Sequence, residues 1–380
     1  MLHAMFLLPV VGLATGLVIG LAGTWSLIRL GSRLGTLDSA GSAGHQKTEL
    51  RPVPNIGGVA IVAAVLLPII GGLIAFHGLG AERIMDLVPA LRGPDDAPRV
   101  LVDRLAASTP LAIALVGSAA LLHIVGLIDD RRPLPAIPKL LAQLVPAAIM
   151  VIVFDVRLLT LLGPGLSIAV TIIWIVAMTN AINFLDNMDG LAGGVSLVAS
   201  LLLAVVAMLA AQWFVAGTLL LLAGGLAGFL VFNAPPARIF MGDGGSLVVG
   251  FLLAVLTARI TFVHPDLGGA WYGVFMPLAV LAIPLYDFTS VTAIRILQGK
   301  SPLVGDQQHF SHRLVQRGLS RRGAVAVIVG LTAVTGIGGV SLGSLAPWQA
   351  ILVGVQTLLV LGVIGLLEHA SRRRAGGGDA

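Results

Sequence analysis

The residues with most chemistry per unit length are Asn180, Asn183, Asp186, Asn187 and Asp189, which place two carboxylates and three amides within ten residues. Oxygen-only donors suit a hard cation such as magnesium, which keeps waters and phosphates in its shell. Asn180 and Asn183 are three apart, as are Asp186 and Asp189, so a helical continuation would bring them near one face. A capped helix start before Gly190 accounts for one acid but not for the set.

Four other polar segments interrupt the chain. Asp129 and Asp130 are adjacent, followed by Arg131 and Arg132, with Lys139 and Gln143 downstream. Neighbouring carboxylates repel, which raises one pKa unless a cation intervenes and suits a proton acceptor or a metal ligand. Pairing of the two acids with Arg131 and Arg132 in an interfacial loop is the competing reading. Further along, Asn233, Pro235, Pro236, Arg238, Phe240, Asp243 and Ser246 fall in one stretch in which Gly242, Gly244 and Gly245 flank Asp243. There the prolines break a span, the glycines allow close backbone approach to a ligand, and a helix beginning at about Ser246 would offer an N-terminus to phosphate. Asp287, Arg295, Asp306, His309, His312 and Arg313 form the next group, whose donors fit diphosphate oxygens; zinc is a weaker fit without thiolates. The segment from Asp38 to Gly58, with His45, Lys47 and Arg51, reads alone as a basic loop.

What must position these groups is membrane-spanning helix. Of 380 residues, 57% are hydrophobic and 11% charged, and apolar stretches of about 20 residues recur throughout. The expected fold is all-α and polytopic, about eleven transmembrane helices centred near Leu17, Val65, Leu115, Pro146, Ile173, Leu201, Leu220, Leu252, Ala279, Gly330 and Leu359. The 48 glycines suit close helix approach in lipid. Zero cysteines exclude disulfides, thiolate zinc sites and cysteine nucleophiles. The net charge of +5 points to membrane topology and anionic ligands, not to nucleic acid. The first span lacks a basic flank and a cleavage site, and so reads as a retained helix. With the N-terminus outside, 17 of the 23 Lys and Arg residues fall on the cytoplasmic side, together with every polar segment described above. The chain reads as one membrane-embedded domain over 1–380, with a polar loop insertion at 79–107 and a basic, flexible tail at 370–380.

In order and spacing, the polar segments around Asp129, Asn183, Asp243 and His309 resemble those of the polyprenyl-phosphate N-acetylhexosamine-1-phosphate transferases, over roughly residues 30 to 320. The resemblance implies an enzyme of the bacterial cytoplasmic membrane with a cytoplasmic, magnesium-dependent site, manganese being an alternative. It further implies transfer of a sugar 1-phosphate from a UDP-N-acetylhexosamine to a polyprenyl phosphate, with release of UMP. Asp129 and Asp130 match the family's acidic pair, the first proposed to deprotonate or position the lipid phosphate, and Lys139 matches its phosphate-binding lysine. Asn183 and Asp243 match positions associated with the metal, while Asp189 and Phe240 match those that hold and stack the uracil. Asn180, Asp186 and Asn233 belong to the same nucleotide-side motifs, and His309, His312 and Arg313 match the diphosphate-binding loop. Two positions depart from the pattern: Asn187 stands where many members have glycine, and Ser311 where many have another histidine.

The pair His309 and His312 looks more like the branch using UDP-N-acetylglucosamine than like the phospho-N-acetylmuramoyl-pentapeptide branch, which carries a triple-histidine loop. A transporter or lipid scramblase is the reading from another class. Transporters, however, place charge near the bilayer midplane on broken helices, whereas these groups cluster at span ends. Membrane lipid is an expected partner, and a homodimer is compatible with the sequence.

Overall fold

A computed structural model describes residues 2–34, 53–87, 97–260, 271–299 and 309–375. The basic residues His45, Lys47 and Arg51, and Asp306 with its neighbours, lie outside these. Among the described residues there is no β-strand, and every apolar stretch anticipated from hydropathy is helical. The helices are α1 (Leu2–Leu34), α2 (Gly57–Leu87), α3 (Ala97–Ala107), α4 (Thr109–Arg131), α5 (Ala136–Ala148), α6 (Pro164–Leu185), α7 (Leu191–Leu209) and α8 (Trp213–Asn233). They continue as α9 (Asp243–Arg259), α10 (Met276–Val280), α11 (Ala282–Leu297), α12 (Phe310–Gln316), α13 (Arg321–Val340) and α14 (Pro347–Ala375).

Among the described residues, nine helices are long and apolar enough to cross a membrane, or ten if the bent pair Trp271–Val280 and Ala282–Leu297 counts as one. The difference from eleven lies at α9, which has 17 residues because helix begins only after the Gly242 turn. It is apolar on all sides and almost wholly buried, as expected of a helix at the centre of a bundle.

Small residues hold the bundle together. α1 lies along α8 with Gly16 and Gly20 against Gly224, Gly225 and Gly228, and a Cβ at Gly16 or Gly224 would overlap the facing backbone. This is close approach through small residues four apart, the packing device of lipid-embedded helices. α7, α8 and α9 then contribute the innermost apolar side chains, among them Leu203, Leu222, Phe229 and Phe251.

Two expectations require correction. The segment 79–107 is not a loop where it is described: α2 continues past a break at Gly80 (φ 76°) to Leu87, and α3 covers Ala97–Ala107. Leu101 and Val102 are buried against Phe76, Ile84, Met85, Leu105 and Trp213, an apolar stripe that the polar composition concealed. The tail expected from residue 370 begins as helix, since α14 runs to Ala375.

The chain reverses between successive spans, so the C-terminal ends of α4, α6 and α8 lie beside the N-terminal ends of α2, α5, α7 and α9. The contacts described next join these termini at one end of the bundle.

Candidate functional site

At the end of α4, Asp129 and Asp130 point to different partners. Asp130 accepts hydrogen bonds from the backbone N–H of Asp243 at 2.9 Å and of Gly244 at 3.1 Å, and from Asn55 Nδ2 at 3.0 Å. It thus caps the first turn of α9 from a neighbouring helix. The preceding residue, Gly242, has φ 71° and ψ 171°, a glycine conformation with no side chain to offer. Gly126, one turn before Asp130, lets α9 touch α4, for a Cβ there would overlap the Asp243 carbonyl. His123 Nδ1 donates to the Gly244 carbonyl at 2.7 Å on the same face. The helix begins at Asp243, three residues earlier than the sequence suggested, because this cap stands ready at that point.

Asp129 faces the cation instead. Its Oδ1 accepts the Leu134 N–H at 2.6 Å, folding the turn after α4, and its Oδ2 accepts Lys139 Nζ at 2.7 Å. The same ammonium lies 2.5 Å from Asp243 Oδ2. Asn183 Nδ2 donates to Asp243 Oδ1 and to Ser246 Oγ, both at 2.8 Å, which fixes the carboxylate from its other side. Four helices, α4, α5, α6 and α9, thereby meet at one charge cluster. Asn180 lies one turn deeper and exchanges hydrogen bonds with Gln143, bolting α6 to α5.

The α6–α7 and α8–α9 connections are fastened to each other. Asn233 accepts the Gly190 N–H at 2.9 Å and donates to the Ile239 carbonyl at 2.8 Å, while Asp189 Oδ2 accepts the Ala237 N–H at 2.9 Å. Asp186 stands at the C-cap of α6, where the helical repeat ends, so the three-residue spacing from Asp186 to Asp189 is not helical. Phe240 is half-buried, its N–H given to Pro54 and its carbonyl accepting from Gly57. Asn233 is buried and acts as a rivet between loops, whereas Asp189 and Phe240 are partly exposed.

The His309 group is built on α11 and α12. Asp287 is fully buried on α11 and accepts His309 Nδ1 at 2.9 Å and the Phe310 N–H at 2.6 Å. Arg313 Nη2 donates to Ser290 Oγ at 2.9 Å. The Phe184 ring joins this group to α6: His309 meets it edge-on at 5.6 Å, Phe288 packs tilted against it at 5.5 Å, and the Arg295 guanidinium lies over it at 5.1 Å. His312 is partly exposed. Burial, then the fields of His309 and Arg321, depress its pKa below the ordinary imidazole value against the opposing pull of Asp287. Arg322 Nε donates to the Pro235 carbonyl at 3.0 Å, tying α13 to the α8–α9 loop.

The donor set is compatible with a hard divalent ion. Among the described residues no three or more His, Cys, Asp or Glu side chains form a metal-sized cluster. Two carboxylates, Asp129 and Asp243, nevertheless converge on a single cation, the Lys139 ammonium, with the Asn183 carboxamide beside them. One or two carboxylates, with the shell completed by water and substrate phosphate, is the arrangement magnesium takes in phosphoryl-transfer sites.

Sequence reasoning missed Asn55 as a partner of Asp130, and missed His123, Phe184 and Ser290. Only His123 carried a signal, an ionisable residue inside an apolar span.

Residues 112–261 match the model of glycosyl transferase family 4. The probable undecaprenyl-phosphate N-acetylglucosaminyl 1-phosphate transferase of Bacillus subtilis (strain 168) is 31% identical over 298 residues, covering 76% of each chain. A decaprenyl-phosphate N-acetylglucosaminephosphotransferase of Mycobacterium tuberculosis (strain ATCC 25618 / H37Rv) is 29% identical over 393 residues, 96% of this chain and 90% of its own. A phospho-N-acetylmuramoyl-pentapeptide-transferase of Moorella thermoacetica (strain ATCC 39073 / JCM 9320) is 45% identical, but over 100 residues that span 26% of this chain and 31% of its own. With 31% identity to the Bacillus subtilis protein over three quarters of both chains and a match to the family model, the chain belongs to glycosyl transferase family 4.

Proposed function

We propose that the protein transfers N-acetylglucosamine 1-phosphate from UDP-N-acetylglucosamine to undecaprenyl or another polyprenyl phosphate, releasing UMP. The observation that carries this reading is the Lys139 ammonium held between Asp129 and Asp243 where four helix ends meet. In the reaction, Lys139 and Asp129 receive the lipid phosphate: the lysine offsets its charge, and the carboxylate orients it or accepts its proton. His309, His312 and Arg313 take the donor diphosphate, with His309 aimed by Asp287 and Arg313 by Ser290. Phe240 and Asp189, both partly exposed, hold the uracil. Asp243 and Asn183, with Asp129 alongside, would hold a magnesium or manganese ion, which supplies charge neutralisation on the diphosphate when bound. Asp130 serves by keeping the start of α9, and hence Asp243, in register.

The polar ends face the cytoplasm in this reading, since the nucleotide sugar arrives from that side and the basic residues collect there. The test is UMP release by the purified full-length chain with undecaprenyl phosphate and a panel of UDP-sugars. Turnover with UDP-N-acetylglucosamine, abolished by EDTA and restored by magnesium, is expected. Turnover only with the UDP-N-acetylmuramoyl-pentapeptide would transfer the assignment to the other branch, and none with any donor would overturn it.

A further inference from the structure

The two positions at which the sequence departs from the pattern it resembles meet each other in space. Ser311 Oγ donates to Asn187 Oδ1 at 2.6 Å across 124 positions of sequence, and Asn187 Nδ2 donates to the Phe184 carbonyl at 2.6 Å. Ser311 is buried at 1% exposure. Its helix, α12, has seven residues, too few to be stable without external support. His309, Phe310 and Arg313 tie that helix to Asp287 and Ser290, both on α11. Ser311 ties it instead to the turn between α6 and α7, four residues from Asn183 and two from Asp189.

We infer that Asn187 and Ser311 form a positioning clasp that sets where the donors His312 and Arg313 stand relative to the Asn183–Asp189 side of the site. Neither residue is placed against substrate; the pair acts through α12. Asn187 is the hinge of the device because it closes the last turn of α6 with one half of its amide and grips α12 with the other. The turn and α12 are thereby coupled. This inference rests on the proposed transfer reaction for its catalytic consequence but not for its structural one.

Two readouts separate those parts, both on the intact, detergent-solubilised chain. The first is hydrogen–deuterium exchange in peptides covering residues 309–317, without substrate. Ser311→Ala and Asn187→Ala should each accelerate exchange there, whereas Ser311→Thr, which keeps the hydroxyl, should stay close to wild type. The second is transfer kinetics with UDP-N-acetylglucosamine. Each alanine variant should raise KM for the donor by roughly three- to tenfold, the range of one neutral hydrogen bond, with a smaller change in kcat. The double variant should be no worse than the poorer single one, because the two share one contact. Unchanged exchange in both alanine variants, a Ser311→Thr that behaves like Ser311→Ala, or multiplicative kinetic losses in the double variant would each overturn the clasp. Wild-type protein that shows no transfer while exchange responds as expected would retain the clasp and refute the proposed function.

Discussion

Replacing Asp243 by asparagine removes one negative charge and little volume, which makes it the sharpest probe of the charge cluster. The carboxylate receives Lys139 on one oxygen at 2.5 Å and Asn183 on the other at 2.8 Å. An amide presents one oxygen and one NH2, so at least one of these contacts becomes donor against donor. A hydrogen bond to a charged group contributes about 1.5–3 kcal/mol, and the side chain is 29% exposed, so water relieves part of the loss. Stability should therefore fall by about 1.5 kcal/mol, the low end of that range. The loss in transfer should be greater, because Lys139 is left with Asp129 alone and the carboxylate best placed for a divalent ion is gone. kcat/KM should drop on the order of a hundredfold or more, from about 3 kcal/mol at 1.4 kcal/mol per tenfold. UMP release at several magnesium concentrations, alongside a thermal melt, measures both quantities. A variant that melts like wild type and keeps kcat/KM within about threefold would refute the view that Asp243 is central to the site.

Other expectations follow from individual contacts. Asp130→Ala should lower the melting temperature through loss of the cap on α9, a cost of about 1–2 kcal/mol, whereas Asp129→Asn should reduce kcat with little change in nucleotide binding; equal behaviour of the two would dissolve the division of labour between them. Arg313→Lys should retain part of the activity and Arg313→Ala on the order of ten- to a hundredfold less than wild type, with Arg322→Ala the appropriate comparison, because Arg322 is exposed and bonds the Pro235 carbonyl; similar small losses at Arg313 and Arg322 would argue against a diphosphate contact. The depressed pKa of His312 makes the unfolded chain bind more protons than the folded one between that lowered value and 6.5, so stability should decline as pH falls below 6.5 and His312→Gln should flatten that decline. Should the diphosphate draw a proton onto His312, donor KM should fall over the same window in wild type and not in His312→Gln. Single cysteines at Arg132 and Ser344, introduced into a chain without native thiols, should label from the cytoplasmic and the outer side respectively, and the reverse pattern would invert the orientation.

The spans were legible because hydropathy needs no knowledge of neighbours, and the polar segments stood out against so apolar a background. What could not be read was which groups serve substrate and which serve each other. Asp129 and Asp130 are chemically identical and adjacent; only the placement of α9 makes one a cap and the other a partner of Lys139. Asn233 resembled its neighbours in the nucleotide-side motif, yet both ends of its amide are taken by loop backbone. The start of α9 at Asp243 was misjudged by three residues because its cap comes from another helix, beyond the reach of local sequence rules. The α3 segment was missed because its charged residues masked a short apolar stripe.

The alternation of the spans also has a bearing on how such a protein adapts to its membrane. Every contact of the charge cluster lies at one set of helix termini, so the opposite termini, at the 209–213 and 340–347 connections, are not called on to hold any reacting group. Bilayers differ in thickness by several ångströms, and a helix changes length by about 1.5 Å per residue. Residues can be gained or lost at those remote ends without rotating or displacing the near ends, whereas a single insertion between Gly126 and Asp130 would turn the acidic pair by about 100°. Changes in span length at those remote termini would leave the polar contacts in place, which would let the same chemistry operate in membranes of unequal depth.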